Sequence, residues 1–273
     1  MDIEKINKFI NENHQQIEGW FFPLDHIIFF ELFNLQNQWG IKGDVCEVGV
    51  FRGKSLTLLS LLKGQAERLT GFDLFQEDHQ ASTEANLEKY GDPTLVSLIA
   101  GATSEIAREE LSAMMPAPVR FLHIDAGHEY HEVMEQLELF APYLADQAFI
   151  AMDDYQDREF PGIEAAVLDF AERDRPRRFV PFLAGANKMY LCSAPIASAA
   201  QRFLVQRDSY KDKFRLARVR DFNILIMHSK LPVASETILS QLEALAHPRW
   251  CDEDFTLNQK SAHFAQLKFG SGA

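Results

Sequence analysis

From Lys42 onward, short apolar runs alternate with amphipathic stretches: DVCEVGV, KSLTLLSLLK, RLTGFDLF, LVSLIAG, VRFLHID, AFIAMDD and NKMYLCS follow one another in that order. Such switching between strand-like and helix-like texture is the mark of βαβ units. The strand-like runs are nearly continuous in apolar residues, so both faces must be buried, as in a parallel sheet covered by helices on either side. The expected fold is therefore α/β with a doubly wound, mostly parallel sheet. Glycine, hydroxyl and proline signals start the intervening helices, predicted at 53–63, 82–90, 104–113, 129–143 and 162–173. The core is assigned to residues 43–195. Residues 1–42 read as a helical lid, with helices at 2–17 and 24–38 and Trp20, Phe21 and Phe22 between them. Residues 196–273 read as an extension, a dimer arm or substrate lid. It holds a helix at 197–208, β-runs at 214–220 and 222–228 that need a partner edge, and a polar helical tail ending in GSGA, a disordered end or an added tail.

Composition narrows the partners. With 273 residues, 47% of them hydrophobic, the chain can bury a full core. Lys and Arg number 27 against 40 Asp and Glu, a net charge of −13 that repels a phosphate backbone, so no nucleic-acid partner is expected. Cys46, Cys192 and Cys251 form no CxxC pair, which argues against a disulfide framework or zinc cluster and fits reduced thiols in the cytoplasm. The opening MDIEKINKFINENHQQ lacks an apolar core, and no run approaches the roughly 18 apolar residues of a membrane span, so neither export nor a membrane is expected.

In open parallel sheets ligands bind beyond the carboxyl ends of the strands. The first end reads Glu47-Val48-Gly49-Val50-Phe51-Arg52-Gly53-Lys54-Ser55, two glycines framing a turn that opens a helix and brings backbone amides to a ligand. A phosphate-binding P-loop needs four residues between its glycines, and here there are three, although GKS and the acid-tipped FIAMDD imitate its two motifs. Glu47 would face a nucleotide's phosphates but suits a cationic ligand. Asp73, 26 residues after Glu47, stands where an acid accepts hydrogen bonds from a ribose, a role that NAD would also satisfy. Thr103 and Ser104, after Gly101, let a planar base approach or cap the next helix.

The fourth run ends in Asp125, with His128 three residues on, and the fifth ends in Asp153-Asp154-Tyr155. Three converging acids call for a neutraliser, and a Mg²⁺-type cation held by Asp125, Asp153 and Asp154 is the economical one. The alternative is one ligand-binding acid with the others capping helices or solvated. His128 has the pKa range of a general base or serves as a structural donor. Lys188 reads as an ordinary strand-end lysine.

Taken in order, Glu47 to Ser55, Gly71 to Asp73, Ile124 to Tyr130 and Asp153 to Tyr155 resemble the strand-end motifs of class I S-adenosylmethionine-dependent methyltransferases of the small-molecule O-methyltransferase type. The likeness spans about residues 17 to 193 and extends to the macrocin and aminocoumarin sugar enzymes. It implies a Rossmann-like seven-stranded sheet and S-adenosylmethionine bound by Glu47, Gly49, Gly53, Ser55, Asp73, Thr103, Ser104 and Asp125. It also implies a metal on Asp125, Asp153 and Asp154 that orients the acceptor, with Asp125 and His128 as catalytic residues. The departure is Gly127, where such sequences usually carry a second acid. The function this implies is metal-assisted methyl transfer to a small-molecule hydroxyl in specialised metabolism, in a protein able to form homo-oligomers through its extension. A P-loop nucleotide hydrolase and a non-catalytic binding protein of the same fold are the alternatives.

Overall fold

The computed structural model describes residues 1–174 and 176–244. Cys251 and the GSGA tail lie outside them. Two helices, α1 (Ile3–Asn11) and α2 (Pro23–Gln38), precede a regular alternation: β1 (Asp44–Val48), α3 (Lys54–Leu62), β2 (Leu69–Asp73), α4 (His79–Tyr90), β3 (Val96–Ala100), α5 (Arg108–Met114), β4 (Val119–Ile124), α6 (Tyr130–Phe140), β5 (Leu144–Met152) and α7 (Pro161–Arg173). Then come β6 (Phe179–Gly185), β7 (Lys188–Ser193), α8 (Ala197–Val205), β8 (Phe214–Val219), β9 (Phe222–Met227) and α9 (Ser235–Ala244).

One sheet runs through all of it, in the order β3-β2-β1-β4-β5-β7-β6-β9-β8. Strands β1 to β5 pair in parallel, and β7 lies antiparallel between β5 and β6. Among the described residues the sheet has nine strands rather than seven. The two β-runs of the extension form an antiparallel hairpin whose second strand pairs in parallel with β6. Strand β6 escapes a sequence reading because Pro181 lacks the N–H of a regular ladder, and pairing with β7 shifts register between Pro181 and Leu183. The segment predicted as one helix at 104–113 is a single 3-10 turn, Thr103–Glu105, followed by α5, because Ile106 and Ala107 adopt extended backbone.

Burial explains the texture. Every residue of β1 and β4 is buried, as expected for central strands covered on both faces. Helix α2 is itself part of that cover: Phe29 and Phe33 meet Phe121 of β4 with ring centroids 4.9 and 4.8 Å apart. Its far end is fixed by Arg120, a fully buried guanidinium on β4 that reaches Gln36 Oε1 at 2.9 Å and Glu67 Oε2 at 2.7 Å. A buried guanidinium is tolerable only with such partners, so the helix and the sheet are tied by a requirement for charge satisfaction as well as by packing.

His26, also on α2, is fully buried among Phe21 and His14, at 4.5 and 4.6 Å between centroids. Neither ring nitrogen has a hydrogen-bond partner among the described residues. Burial first, then the charges of His14, Lys54 and Lys188, push its pKa from 6.5 down to about 3. The unfolded chain therefore takes up a proton that the folded protein refuses, and stability present above pH 6.5 is lost as pH falls towards 3. Urea unfolding at pH 7, 6 and 5 should show a loss of about 2 kcal/mol between pH 6.5 and 5 from this group. His26→Phe should remove that part of the pH dependence; identical slopes in the two proteins would exclude His26 as its source.

Candidate functional site

The strand order reverses between β1 and β4, and the register there sets Glu47 beside His123 and Val48 beside Ile124. The chain segments leaving the two strands touch: Asp125 N–H donates to the Val48 carbonyl at 2.7 Å, and a Cβ on Gly49 would lie 1.9 Å from the Asp125 carbonyl oxygen. Gly49 also has φ +88°, so position 49 excludes side chains on two grounds. Asp73, at the end of β2, clamps the turn that follows. Its Oδ2 accepts the N–H groups of Val50 at 2.7 Å and Phe51 at 2.9 Å, and its Oδ1 accepts that of Phe75 at 2.7 Å. The clamp holds Phe51 at φ +50°, a strained conformation for a bulky residue.

Above these ends lies a cavity of about 540 Å³. Gly49, Asp73, Thr103, Ser104 and Asp125, all singled out from the sequence, line it. Three others do not. Glu47 is fully buried and meets His123 Nδ1 at 2.6 Å, because register neighbours on adjacent strands share a face. Gly53 supplies the left-handed start of α3 against Thr83, and Ser55 is buried in that helix. The cavity wall missing from the sequence reading is the first part of α6, where His131, Glu132, Glu135 and Gln136 present one face, a helical spacing legible in EYHEVMEQ. With Asp73 and Asp125 the lining carries four carboxyl groups and neither Lys nor Arg.

Beside the cavity stands a denser cluster. Asp153, 5% exposed, accepts Asp154 N–H on Oδ1 at 2.8 Å, while its Oδ2 is ion-paired with Lys188 and lies 3.9 Å from His123 Nε2. Lys188, 1% exposed, is also 4.0 Å from Asp25, which accepts the Tyr190 hydroxyl at 2.7 Å. Burial and then the neighbouring Asp153 push the Asp125 carboxyl well above the ordinary range. Burial acts on Asp153 too, but Lys188 and His123 outweigh it and hold that carboxyl below its usual value. Burial likewise opposes the Lys188 charge, yet Asp153, Asp25 and Asp125 raise its pKa. Asp154 Oδ2 lies 3.2 Å from His128 Nε2, and its Oδ1 accepts Asn187 Nδ2 at 3.1 Å. The His128 ring stacks on Phe160 at 4.1 Å.

These contacts bear on the Mg²⁺-type site expected on Asp125, Asp153 and Asp154. Both Asp153 oxygens are committed to protein donors, and the negative charge already has a partner in Lys188. Among the described residues the donor groups that include these acids, Asp125–His128–Asp154 and His123–Asp125–Asp153, have ligand atoms within 4.8 Å of one another, but each contains an imidazole. An all-oxygen cage for Mg²⁺ does not fit this donor set.

Residues 46–155 match the family model described as a methyltransferase domain, Methyltransf_24. Over 182 residues the chain is 28% identical to the uncharacterized protein R132 of Acanthamoeba polyphaga mimivirus, covering 64% of this chain and 78% of that one. Among solved structures it is similar to an O-methyltransferase from Bacillus cereus in complex with SAH, at 14% identity and TM-score 0.51, covering 70% of this chain and 90% of that one. It is likewise similar to TomG from Streptomyces achromogenes in complex with SAM, an O-methyltransferase involved in Tomaymycin synthesis, at 16% identity and TM-score 0.50, covering 70% and 89%. The chain thus has the fold of these S-adenosylmethionine-dependent O-methyltransferases, and its central segment matches a methyltransferase-domain model. No helix among the described residues is long and apolar enough to cross a membrane.

The glycine turn supplies a direct check. Gly49→Ala should cost at least about 2 kcal/mol and abolish ligand binding at the cavity, since backbone must move. Gly40→Ala, where φ is +70° but nothing lies within 4 Å of the added carbon, should cost about 1 kcal/mol and leave binding intact. Thermal unfolding with and without S-adenosylhomocysteine distinguishes the two.

Proposed function

We propose that the protein is an S-adenosylmethionine-dependent methyltransferase acting on a hydroxyl of a small molecule. The observation that carries this reading is the cavity itself: a glycine turn, a clamping Asp73 and a wall of carboxyl groups without a single Lys or Arg among its lining residues. Such a lining attracts a sulfonium cation and an ammonium group, and it repels a triphosphate. The P-loop reading is disfavoured by the same charges and by the three-residue spacing between Gly49 and Gly53. In this reading Thr103 and Ser104 border the base, and Asp73, which holds the turn through Oδ2, offers the ribose the second lone pair of Oδ1 beside the Phe75 N–H. Asp125 lies at the reacting end, between the cavity and the acid cluster.

Methyl transfer forms a carbon–oxygen bond as the carbon–sulfur bond breaks; the sulfonium becomes a neutral thioether and the acceptor loses a proton. Most of the acceleration comes from holding the acceptor in line with the sulfonium. His128 is the base of this proposal: if its Nε2–H donates to Asp154, Nδ1 is left unprotonated and able to accept a proton. Asp154 orients the ring, and Phe160 fixes its plane. The segment carrying Trp20 and Phe21 sets Trp20 beside Phe51 of the glycine turn and Phe21 beside His123, held by Lys54 Nζ donating to the Gly19 carbonyl at 2.6 Å and by Arg52 on Glu18 at 3.2 Å. A role in specialised metabolism is the setting this reading favours, since TomG, with a similar fold, is involved in Tomaymycin synthesis, and cysteines without a CxxC pair favour the cytoplasm.

Calorimetric titration should give micromolar binding of S-adenosylmethionine, on the order of −8 kcal/mol, and no heat with ATP and Mg²⁺; the reverse pattern would refute the proposal. Radiolabelled methyl transfer, screened over catechols and sugar nucleotides, then reports the acceptor. His128→Gln should lower kcat about 100-fold while leaving S-adenosylhomocysteine affinity unchanged. An unaltered kcat would assign the base elsewhere.

A further inference from the structure

Lys188 opens β7, the one strand that runs antiparallel next to β5, where Met189 pairs with Met152. This reversal brings the first residue of β7 to the end of the sheet where the parallel strands finish, directly beside Asp153. The ammonium is buried, ion-paired with Asp153 and 4.0 Å from Asp25. Tyr190 and the Asp154 amide take the remaining oxygens nearest to it, one on each acid. A buried ammonium is unfavourable unless carboxylates surround it, and a buried carboxylate pair is unfavourable unless a cation separates it. Each group here answers the other's requirement.

We propose that Lys188 is the built-in cation of this site, a positioning residue that neutralises Asp153 and takes it out of any metal-ligand set. The ammonium orders Asp153, and through it the backbone at Asp154 that presents the carboxylate facing His128. The role assigned to Lys188 rests on the methyl-transfer reading, whereas its occupation of the cation position is read without turnover.

The test is Mn²⁺ binding, followed by electron paramagnetic resonance and calorimetry on the purified full chain stripped with EDTA. S-adenosylhomocysteine binding is measured separately, so that failure of the methyltransferase reading is seen independently. Wild type should bind no Mn²⁺ that depends on Asp153, with any affinity there weaker than about 1 mM. Lys188→Ala should expose an anionic cage and gain Mn²⁺ binding at least about 10-fold tighter, with a melting temperature that rises on adding Mn²⁺. Should that variant fail to fold, wild type and Asp153→Asn decide the matter. Stoichiometric Mn²⁺ binding in wild type that is lost in Asp153→Asn overturns the proposal. Its absence in wild type, or its survival in Asp153→Asn, upholds it.

Discussion

The carboxyl ends of β1 and β4 approach so closely that only backbone fits between them, and the remaining geometry of the site follows from that approach. With Gly49 pressed against the Asp125 carbonyl, the turn leaving β1 has no freedom to relax sideways, and Asp73 fixes it from the other flank by accepting two of its amides. The crevice at the reversal of strand order is then a fixed space rather than a loop ensemble. Its floor is main chain and its walls are β2, the loop after β3 and the start of α6.

Charge divides that space into two regions of different character. The cavity is partly open and acidic, where solvent screens carboxylates and a cationic ligand completes the balance. The adjoining cluster is buried, where an unpaired charge is not tolerated, and Lys188 lies against Asp153 and near Asp25 within the protein. The net charge of −13 is thus not spread evenly in its consequences.

The N-terminal helices and the last strands show how far a core extends beyond the segment that carries the motifs. Helix α2 buries Phe29 and Phe33 on β4 and engages Arg120, so it is structural cover as well as the support for Trp20 and Phe21. The hairpin β8–β9 lengthens the same sheet past β6. Its apolar runs were readable as strands, but their partner was not, because β6 is disguised by Pro181 and its pairing with β9 joins residues distant in sequence, Leu183 with Leu225.

Sequence alone determined what depends on local order: the βαβ alternation, the glycines of the turn, and strand-end residues such as Asp73, Thr103 and Asp125, since a strand followed by a helix start delivers its next residues to the ligand side whatever surrounds it. Tertiary structure decided what depends on neighbours from other strands. Glu47 is drawn to His123 rather than the cavity because β1 and β4 are in register there. Asp153 meets an ammonium because an antiparallel strand carries Lys188 to the wrong end for an ordinary strand start and the right end for the acids. Strand direction and register are set by the packing of the whole sheet, and no window of residues contains them.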